Sequence, residues 1–428
     1  MKKPQVLRAA GSALAALMLF SLATPASAVT ETQWGQWGPF EGEARAYTTT
    51  VETNAIGFPS ADVATDSRSG SGTGVISGAS TWLGAGTPVG EVYGSSRGQQ
   101  YLNLRPNADN ATAPSTTTYS FDYPTPANGW AFVLGDIDAD EVTINAVTAD
   151  GEAAGADQLG FQGGFNYCVP EAAGPCSSQG SATDAPSWDP ATRTLTGNEA
   201  AADTSGAAAW FQPTAQLESL TFTFTRRAGF PVYQTWVTSL SRSVTGSVVL
   251  EDDSPVPGAT VNLTNDSGQE LSSTQTAEDG TYSFPEVVAS DGFTVSVEVP
   301  AGLAQAGTDS FPVDLTEDDA QVRDFVLGVP DETAAIEGAV VSDDVAVEEI
   351  EVLAQGQGDD IEVLTDEEGE YSFEELPLGE WTVSVEVDED LVAVEPGQAE
   401  VVLSEPGQRV RLENFVASAA TVEPEPSP

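Results

Sequence analysis

The chain has 428 residues with 66 acidic and 14 basic side chains, a formal net charge of -52, which excludes nucleic-acid binding through clustered Lys and Arg. It contains no histidine, so Ser-His-Asp and Cys-His catalysis, His-ligated zinc and histidine pH sensing are excluded too. Its only lysines are Lys2 and Lys3, so beyond the first residues there is no P-loop or Schiff-base lysine.

Those two lysines and Arg8 precede an apolar run over residues 9–23 and the small-residue triplet Ala26-Ser27-Ala28. A charged region, an apolar region and a small-residue cleavage site occur in the order of a secretory signal peptide. A permanent anchor is the competing reading, but the run is short for a bilayer span of about 20 residues. Residues 1–28 are therefore expected to be removed, leaving a secreted or extracellular mature chain with no membrane span. Association with the cell wall stays open.

Residues 29–243 carry 22 acidic residues, eight arginines and seven of the eight tryptophans. Alternating stretches such as Ser219-Leu-Thr-Phe-Thr-Phe-Thr225, spaced by Gly, Pro and Asn turns, predict strands with one buried face. No long amphipathic helix is visible, and the region reads as a jelly-roll-like β-sandwich head. Trp34 and Trp37 lie in the polar, Gly-rich stretch Gln33-Trp-Gly-Gln-Trp-Gly-Pro39. They are the pair expected to be exposed and to stack on a sugar or a protein ligand, whereas most other tryptophans are expected in the core.

The segment Gly135-Asp-Ile-Asp138, within residues 121–144, is similar to strands in the N-terminal adhesive domains of secreted bacterial surface proteins, including fibrillar adhesins. That similarity implies a head on a stalk and names no ligand. Asp136, Asp138 and Asp140, followed by Glu141, invite a calcium reading because closely spaced carboxylates suit a hard cation. An EF-hand loop is excluded, since its sixth position would be Glu141 and its twelfth Val147. The apolar parity changes from Ile137 and Ala139 to Val142 and Ile144, predicting a turn or bulge whose carboxylates bond local backbone. Turn carboxylates and a calcium site both stand as readings; no other cofactor is expected. Cys168 and Cys176, the only cysteines, close a Gly/Pro loop and are expected to form a disulfide in an exported chain.

Residues 244–428 hold 44 acidic residues against three arginines, and they repeat. Thr276-Ala-Glu-Asp-Gly280-Thr-Tyr282-Ser-Phe284 recurs as Thr365-Asp-Glu-Glu-Gly369-Glu-Tyr371-Ser-Phe373, each followed by a strand alternating Val with polar residues. Two versions of one unit are implied. Each glycine fits a tight turn that sets Tyr and Phe on one strand face.

The order Gly246-Ser-Val-Val, Pro257-Gly-Ala-Thr-Val-Asn-Leu263, Thr-x-x-x-Gly-x-Tyr-x-Phe and a Val-rich strand resembles the transthyretin-like modules of bacterial surface proteins. These include collagen-adhesin B-type domains, B domains of serine-aspartate repeat adhesins, and carboxypeptidase regulatory-like domains. The resemblance covers residues 244–417 and implies spacer modules. Many such relatives carry an internal Lys-to-Asn or Lys-to-Asp isopeptide, which a lysine-free mature chain cannot form. Residues 418–428 read as an acidic, Pro-rich, extended tail. Either the protein is released from the cell or an anchor lies beyond residue 428.

The expectation is an all-β chain: a β-sandwich head (29–243) followed by two tandem transthyretin-like, Ig-like sandwich modules (244–330 and 334–417). The expected function is a non-enzymatic, adhesin-like protein whose head binds an extracellular protein or glycan. The alternative is a carbohydrate-binding protein or the remnant of a carbohydrate-active enzyme.

Overall fold

The computed structural model describes residues 30–419 except 108–110, 173–175, 177–179, 231, 331–332, 357–359 and 387–390. The expected signal peptide and residues 420–428 of the tail lie outside the described residues. Within them the chain is all-β: strands are broken only by the short helices Pro88–Tyr93 and Ala156–Leu159 and a single 3-10 turn at Pro170–Ala172. None of the helices is long and apolar enough to cross a membrane.

The head consists of two sheets. One orders Phe161–Asn166, Ala207–Phe211, Trp130–Gly135 and Tyr233–Leu250, with Glu31–Trp34 and Tyr101–Leu104 end to end on the far side of the last strand. The other is an antiparallel array running Ser187–Asp189, Thr194–Thr196, Asp140–Thr148, Leu217–Arg226, Ser115–Phe121, Ala61–Thr65, Ala46–Glu52 and Gln36–Trp37. Period-two alternation positions the core: Leu220, Phe222 and Phe224 are buried while Thr221, Thr223 and Thr225 are only partly so. Phe132 stacks on Phe211 with ring centroids 4.8 Å apart, and Tyr119 meets Phe222 edge-on at 5.5 Å.

Trp130–Gly135 is buried at every position, as a continuous apolar run requires of a strand covered on both faces. Its outer residues Ala131 and Val133 belong to a second cluster with Trp34, Leu83, Val89, Tyr93, Trp210 and Trp236. The helix Pro88–Tyr93 supplies part of that cover, so the head has a third layer beyond a simple sandwich.

The strand Tyr233–Leu250 is 18 residues long, about 60 Å at roughly 3.3 Å per residue. Its first part pairs within the head. Residues 241–247 pair with Thr281–Val288, and Val248–Leu250 lie parallel to Phe325–Leu327. The expected boundary between residues 243 and 244 thus falls inside one bridging strand. Further bonds tie the two units together. Ile56 N–H donates to Glu286 O (2.6 Å) and Val288 N–H to Ile56 O (2.9 Å); Arg242 Nη1 donates to Leu315 O (2.6 Å). Buried residues from Trp37 to Leu327 form a single apolar cluster, so the head and the first module share a core.

The second module has a separate core built on Ile336, Val340, Tyr371, Phe373, Trp381 and Phe415. The two modules repeat one packing detail. Tyr282 lies opposite Gly246, and Tyr371 opposite Gly338. A Cβ on Gly338 would sit 2.2 Å from Tyr371 Oη, and one on Gly246 would sit 1.7 Å from Arg323 O. Gly338 thus makes room for the Tyr371 ring folded across the first strand, whereas Gly246 makes room first for the Arg323 carbonyl and then for the Tyr282 hydroxyl. Gly280 and Gly369 adopt φ of +78° and +71°, and the Tyr and Phe that follow each are buried, as the turn reading expects.

Candidate functional site

Antiparallel register decides which loops meet at each end of the head. Gly135 lies opposite Gln234 and Ala208, Asn166 opposite Ala207, Asp140 opposite Arg226, and Leu104 opposite Tyr233. Segments 136–139, 197–206 and 227–230 therefore gather at the start of the bridging strand, the pole farthest from the first module. The other pole, with Ile56 and Gly129, abuts that module.

At the distal pole Asp136 takes a left-handed conformation with φ +63°, which Asp tolerates better than most residues. Ile137 and Ala139 turn inward and are fully buried. Asp138 accepts hydrogen bonds from the N–H of Ala139, the N–H of Thr204 (2.8 Å) and Thr204 Oγ1 (3.0 Å). The N–H groups of Arg227 and Ala228 donate to Ala139 O, and that of Gly197 to Asp140 O. Asp140 begins a strand with its side chain on the core face; it is wholly buried, and neither carboxyl oxygen has a hydrogen-bond partner.

Burial dominates the ionisation of this cluster. It pushes Asp136 up to about 8, helped by the charges of Asp138 and Asp203. It pushes Asp140 up to about 9, with Asp138, Asp136 and Asp203 adding to the shift and Arg226 opposing it. Asp138 is raised as well, because desolvation outweighs its hydrogen bonds from Ala139 and Thr204.

Above the cluster lies an open cleft of about 650 Å³ lined by residues 180–184 and 198–205, among them Ser181, Thr183, Asp184, Asn198, Asp203 and Thr204. Thr204 connects the two, being both cleft wall and partner of Asp138. Asn166 holds the cleft's sides together: its Nδ2 donates to Asp184 O (3.0 Å) and Ser205 O (2.9 Å), and its Oδ1 accepts from Cys168 N–H (2.9 Å). Cys168 and Cys176 are joined by a disulfide with Cα atoms 5.2 Å apart, and Gly180 N–H donates to Cys168 O. Next to the cleft Gly229 packs beside Asp203; the following residue, Phe230, is 69% exposed, and the Arg226 guanidinium lies 6.0 Å from its ring centre.

One sequence expectation is corrected here. Trp34 and Trp37 are 6% and 7% exposed and cannot form a stacking platform. The Gly-rich stretch crosses between layers: Gly35 N–H bonds Val237 O and Gly38 N–H bonds Thr50 O. Trp34 thereby enters the outer apolar layer, and Trp37 enters the central core edge-on to Tyr119. Among the described residues no three His, Cys, Asp or Glu side chains, Asp136, Asp138 and Asp140 included, are placed to hold a metal ion. Asp138 is satisfied by local backbone and Thr204, while Asp140 points into the core. Phe230, Asn198, Asp203, Thr204 and Asn166 carry no periodic or motif signal, and sequence reasoning missed them.

A family model described as Carboxypeptidase regulatory-like domain matches residues 243–328, which covers the first module and begins inside the bridging strand. No curated protein matches the chain. Among solved structures it is similar to the Bacillus anthracis TIE protein, at 12% identity over 74% of this chain and 54% of that one, with a TM-score of 0.29. It is similar to a streptococcal ancillary pilin at 12% identity over 50% and 82% of the two chains, TM-score 0.20. The RrgB pilus protein of Streptococcus pneumoniae follows at 9% identity over 76% and 68%, TM-score 0.18. The chain spans about half the length of the first of these.

Proposed function

We propose that this chain is a secreted or cell-surface, non-enzymatic, adhesin-like protein whose head captures an extracellular protein or glycan at its distal pole. The observation that carries the reading is the bridging strand Tyr233–Leu250, with the polar cleft at one end and the first module at the other. A stiff connection through a shared core holds the cleft outward, and self-repulsion of the acidic modules keeps the assembly extended and soluble. The disulfide beside the cleft suits an oxidising exterior. A carbohydrate ligand is the second reading, favoured by exposed Phe230 next in sequence to Gly229, which packs beside Asp203 of the cleft wall, and by the hydroxyl and amide groups that line the cleft. Asp138 and Asp140 are 1% and 0% exposed, and carboxyls sequestered from solvent support binding over acid-base hydrolysis.

The test presents the chain to glycan arrays and immobilised matrix proteins, alongside Phe230→Ala and Thr183→Trp, the latter filling the cleft from an exposed position. Capture weakened at least tenfold by both variants is expected. Undiminished capture by both would place the site elsewhere, and hydrolysis of a bound polysaccharide would overturn the non-enzymatic part.

A further inference from the structure

In the head's second sheet inward side chains are buried and the outward ones between them meet solvent. Antiparallel register lines the outward side chains up across strands: Thr143, Thr223 and Thr116 form one row, and Asn145, Thr221 and Thr118 the next. Ser219 opposite Ser120 continues the array toward the first module. Neighbouring positions are about 5 Å apart between strands and about 7 Å apart along a strand. Some hydroxyls meet: Thr118 Oγ1 lies 3.1 Å from Thr221 Oγ1, and Thr143 Oγ1 lies 3.0 Å from Thr194 Oγ1. Each such pair uses one of its two hydroxyl protons and leaves the other, with the spare lone pairs, to solvent.

Strand propensity accounts for threonine on an exposed strand, and it does not account for the lack of charge. The chain carries 66 acidic residues, and the comparable solvent-facing sheet of the second module displays Glu351, Glu362, Glu380 and Glu400. On the head's array carboxylates stand at the borders, as Glu141, Asp62 and Asp189 do, and Arg193 Nη2 is engaged by Asn145 Oδ1 (3.0 Å).

The array continues past the end of the head. Adjoining grooves of about 400, 180 and 450 Å³ cross the junction with the first module. The first starts at Val147 and Ser219 and shares Tyr123 and Pro124 with the second, which shares Asp266 and Phe293 with the third. The third reaches Thr294, where Thr294 faces Thr264 and Ser296 faces Asn262 in a second uncharged row of hydroxyls and amide. Gln216 Nε2 donates to Asp266 Oδ2 (3.0 Å) and ties the groove's two walls together. Tyr123 is partly exposed there, and its hydroxyl has no hydrogen-bond partner among the described residues.

Hydroxyls and amides both donate and accept, as the hydroxyls of a neutral sugar do. A charged ligand finds no counter-charge along the rows, and a protein partner would need the aromatic or arginine anchors that the rows lack. Adjacent strands rotate by roughly 20–25°, so the array fits one flexible chain better than a flat crystal face. We infer that a neutral polysaccharide chain lies along this track, held by the hydroxyl rows of the head and passing over Tyr123 toward Thr294. The site is separate from the distal cleft.

The probes are the neutral polymers xyloglucan, galactomannan and dextran and the acidic polymers polygalacturonate and chondroitin sulfate, each cast into native gels through which the full chain migrates. Retardation by at least one neutral polymer and by neither acidic one is expected. Thr221→Val combined with Thr223→Val keeps the β-branched shape and removes two hydroxyls; this variant should melt with the parent and bind at least tenfold more weakly. Tyr123→Ala should weaken binding too, whereas Thr183→Trp in the distal cleft leaves it unchanged. No retardation by any neutral polymer, or retardation indifferent to the paired threonine replacements, overturns the inference. Retardation lost with Thr183→Trp alone overturns it as well and leaves the distal-pole reading standing. Capture of a matrix protein that depends on Thr221 and Thr223, with no polysaccharide bound, would make the face a protein site and overturn the sugar assignment.

Discussion

Gly129 is where the rigid coupling of head and first module is most open to attack. Its φ is +80°, and a Cβ there would lie 2.4 Å from Ala289 O and 2.7 Å from Ala289 C. Its own carbonyl accepts from Leu240 N–H (2.8 Å), and Leu240 O in turn accepts from Ala289 N–H (2.8 Å), so none of the three backbones can move alone. Alanine at 129 carries a left-handed backbone cost of about 1–2 kcal/mol and an overpacking cost of about 1–3 kcal/mol. Gly151 is the control: its φ is also +80°, but nothing lies within 4 Å of its Cβ position, so Gly151→Ala carries the backbone cost alone. Calorimetry of the full chain should show the head and first module melting together. Gly129→Ala should lower that transition by roughly 5–15 °C, at about 2–4 °C per kcal/mol for a unit of this size. The second module's transition should stay put, since its core is separate. Equal effects of Gly129→Ala and Gly151→Ala would show that the contact with Ala289 contributes nothing. Separate melting of head and first module in the parent chain would refute the shared core.

The buried carboxyls predict an unusual pH response. Asp136 and Asp140 keep protons in the folded state up to about 8 and 9 that the unfolded chain releases near 4, so stability falls as pH rises through that interval. No histidine is present and both cysteines are bonded, so the head's Tm should fall between pH 6 and 9 for this reason. Asp140→Asn should match the parent only below about pH 4 and exceed it by a margin that grows up to about pH 9; a flat profile for the parent would show that the cluster is already ionised. Gly338→Ala, meeting the Tyr371 ring, should destabilise the second module by about 1–3 kcal/mol in denaturant unfolding while the head's transition is unmoved; an unmoved second-module midpoint would show that the ring yields freely. Trp37→Ala should destabilise the head by about 3–5 kcal/mol yet leave ligand capture intact below its melting temperature; loss of capture without loss of stability would restore Trp37 as a contact residue.

Much of the fold is legible in local pattern. Leu220, Phe222 and Phe224 alternate with threonines, and Val295 and Val297 with polar residues, because side chains on a strand point to opposite faces in turn. The turn glycines at 280 and 369 and the recurring Tyr-x-Phe make the two modules visible as one repeated unit. The site was far less legible. The same Gly-rich composition that suggests exposure for Trp34 and Trp37 lets the chain cross closely between two layers. Asp140 looks like its neighbours in the sequence, yet it alone faces the core.

The amino-acid sequence determined, by itself, that this protein is all-β, repeated in its acidic C-terminal part, carries a close cysteine pair, and cannot use histidine or phosphate-binding lysine chemistry. Those properties follow from residue identity and period-two spacing, which are local. Tertiary structure alone decided that one strand runs unbroken from head to module, that both flanking tryptophans are covered, and that the cleft gathers at the distal pole. Each depends on register between segments far apart in the chain, as where Ser115 Oγ meets Tyr233 Oη at 2.8 Å across 118 residues. Local alternation tells which face of a strand is apolar, and only the long-range pairing of strands settles what covers that face and which loop ends meet.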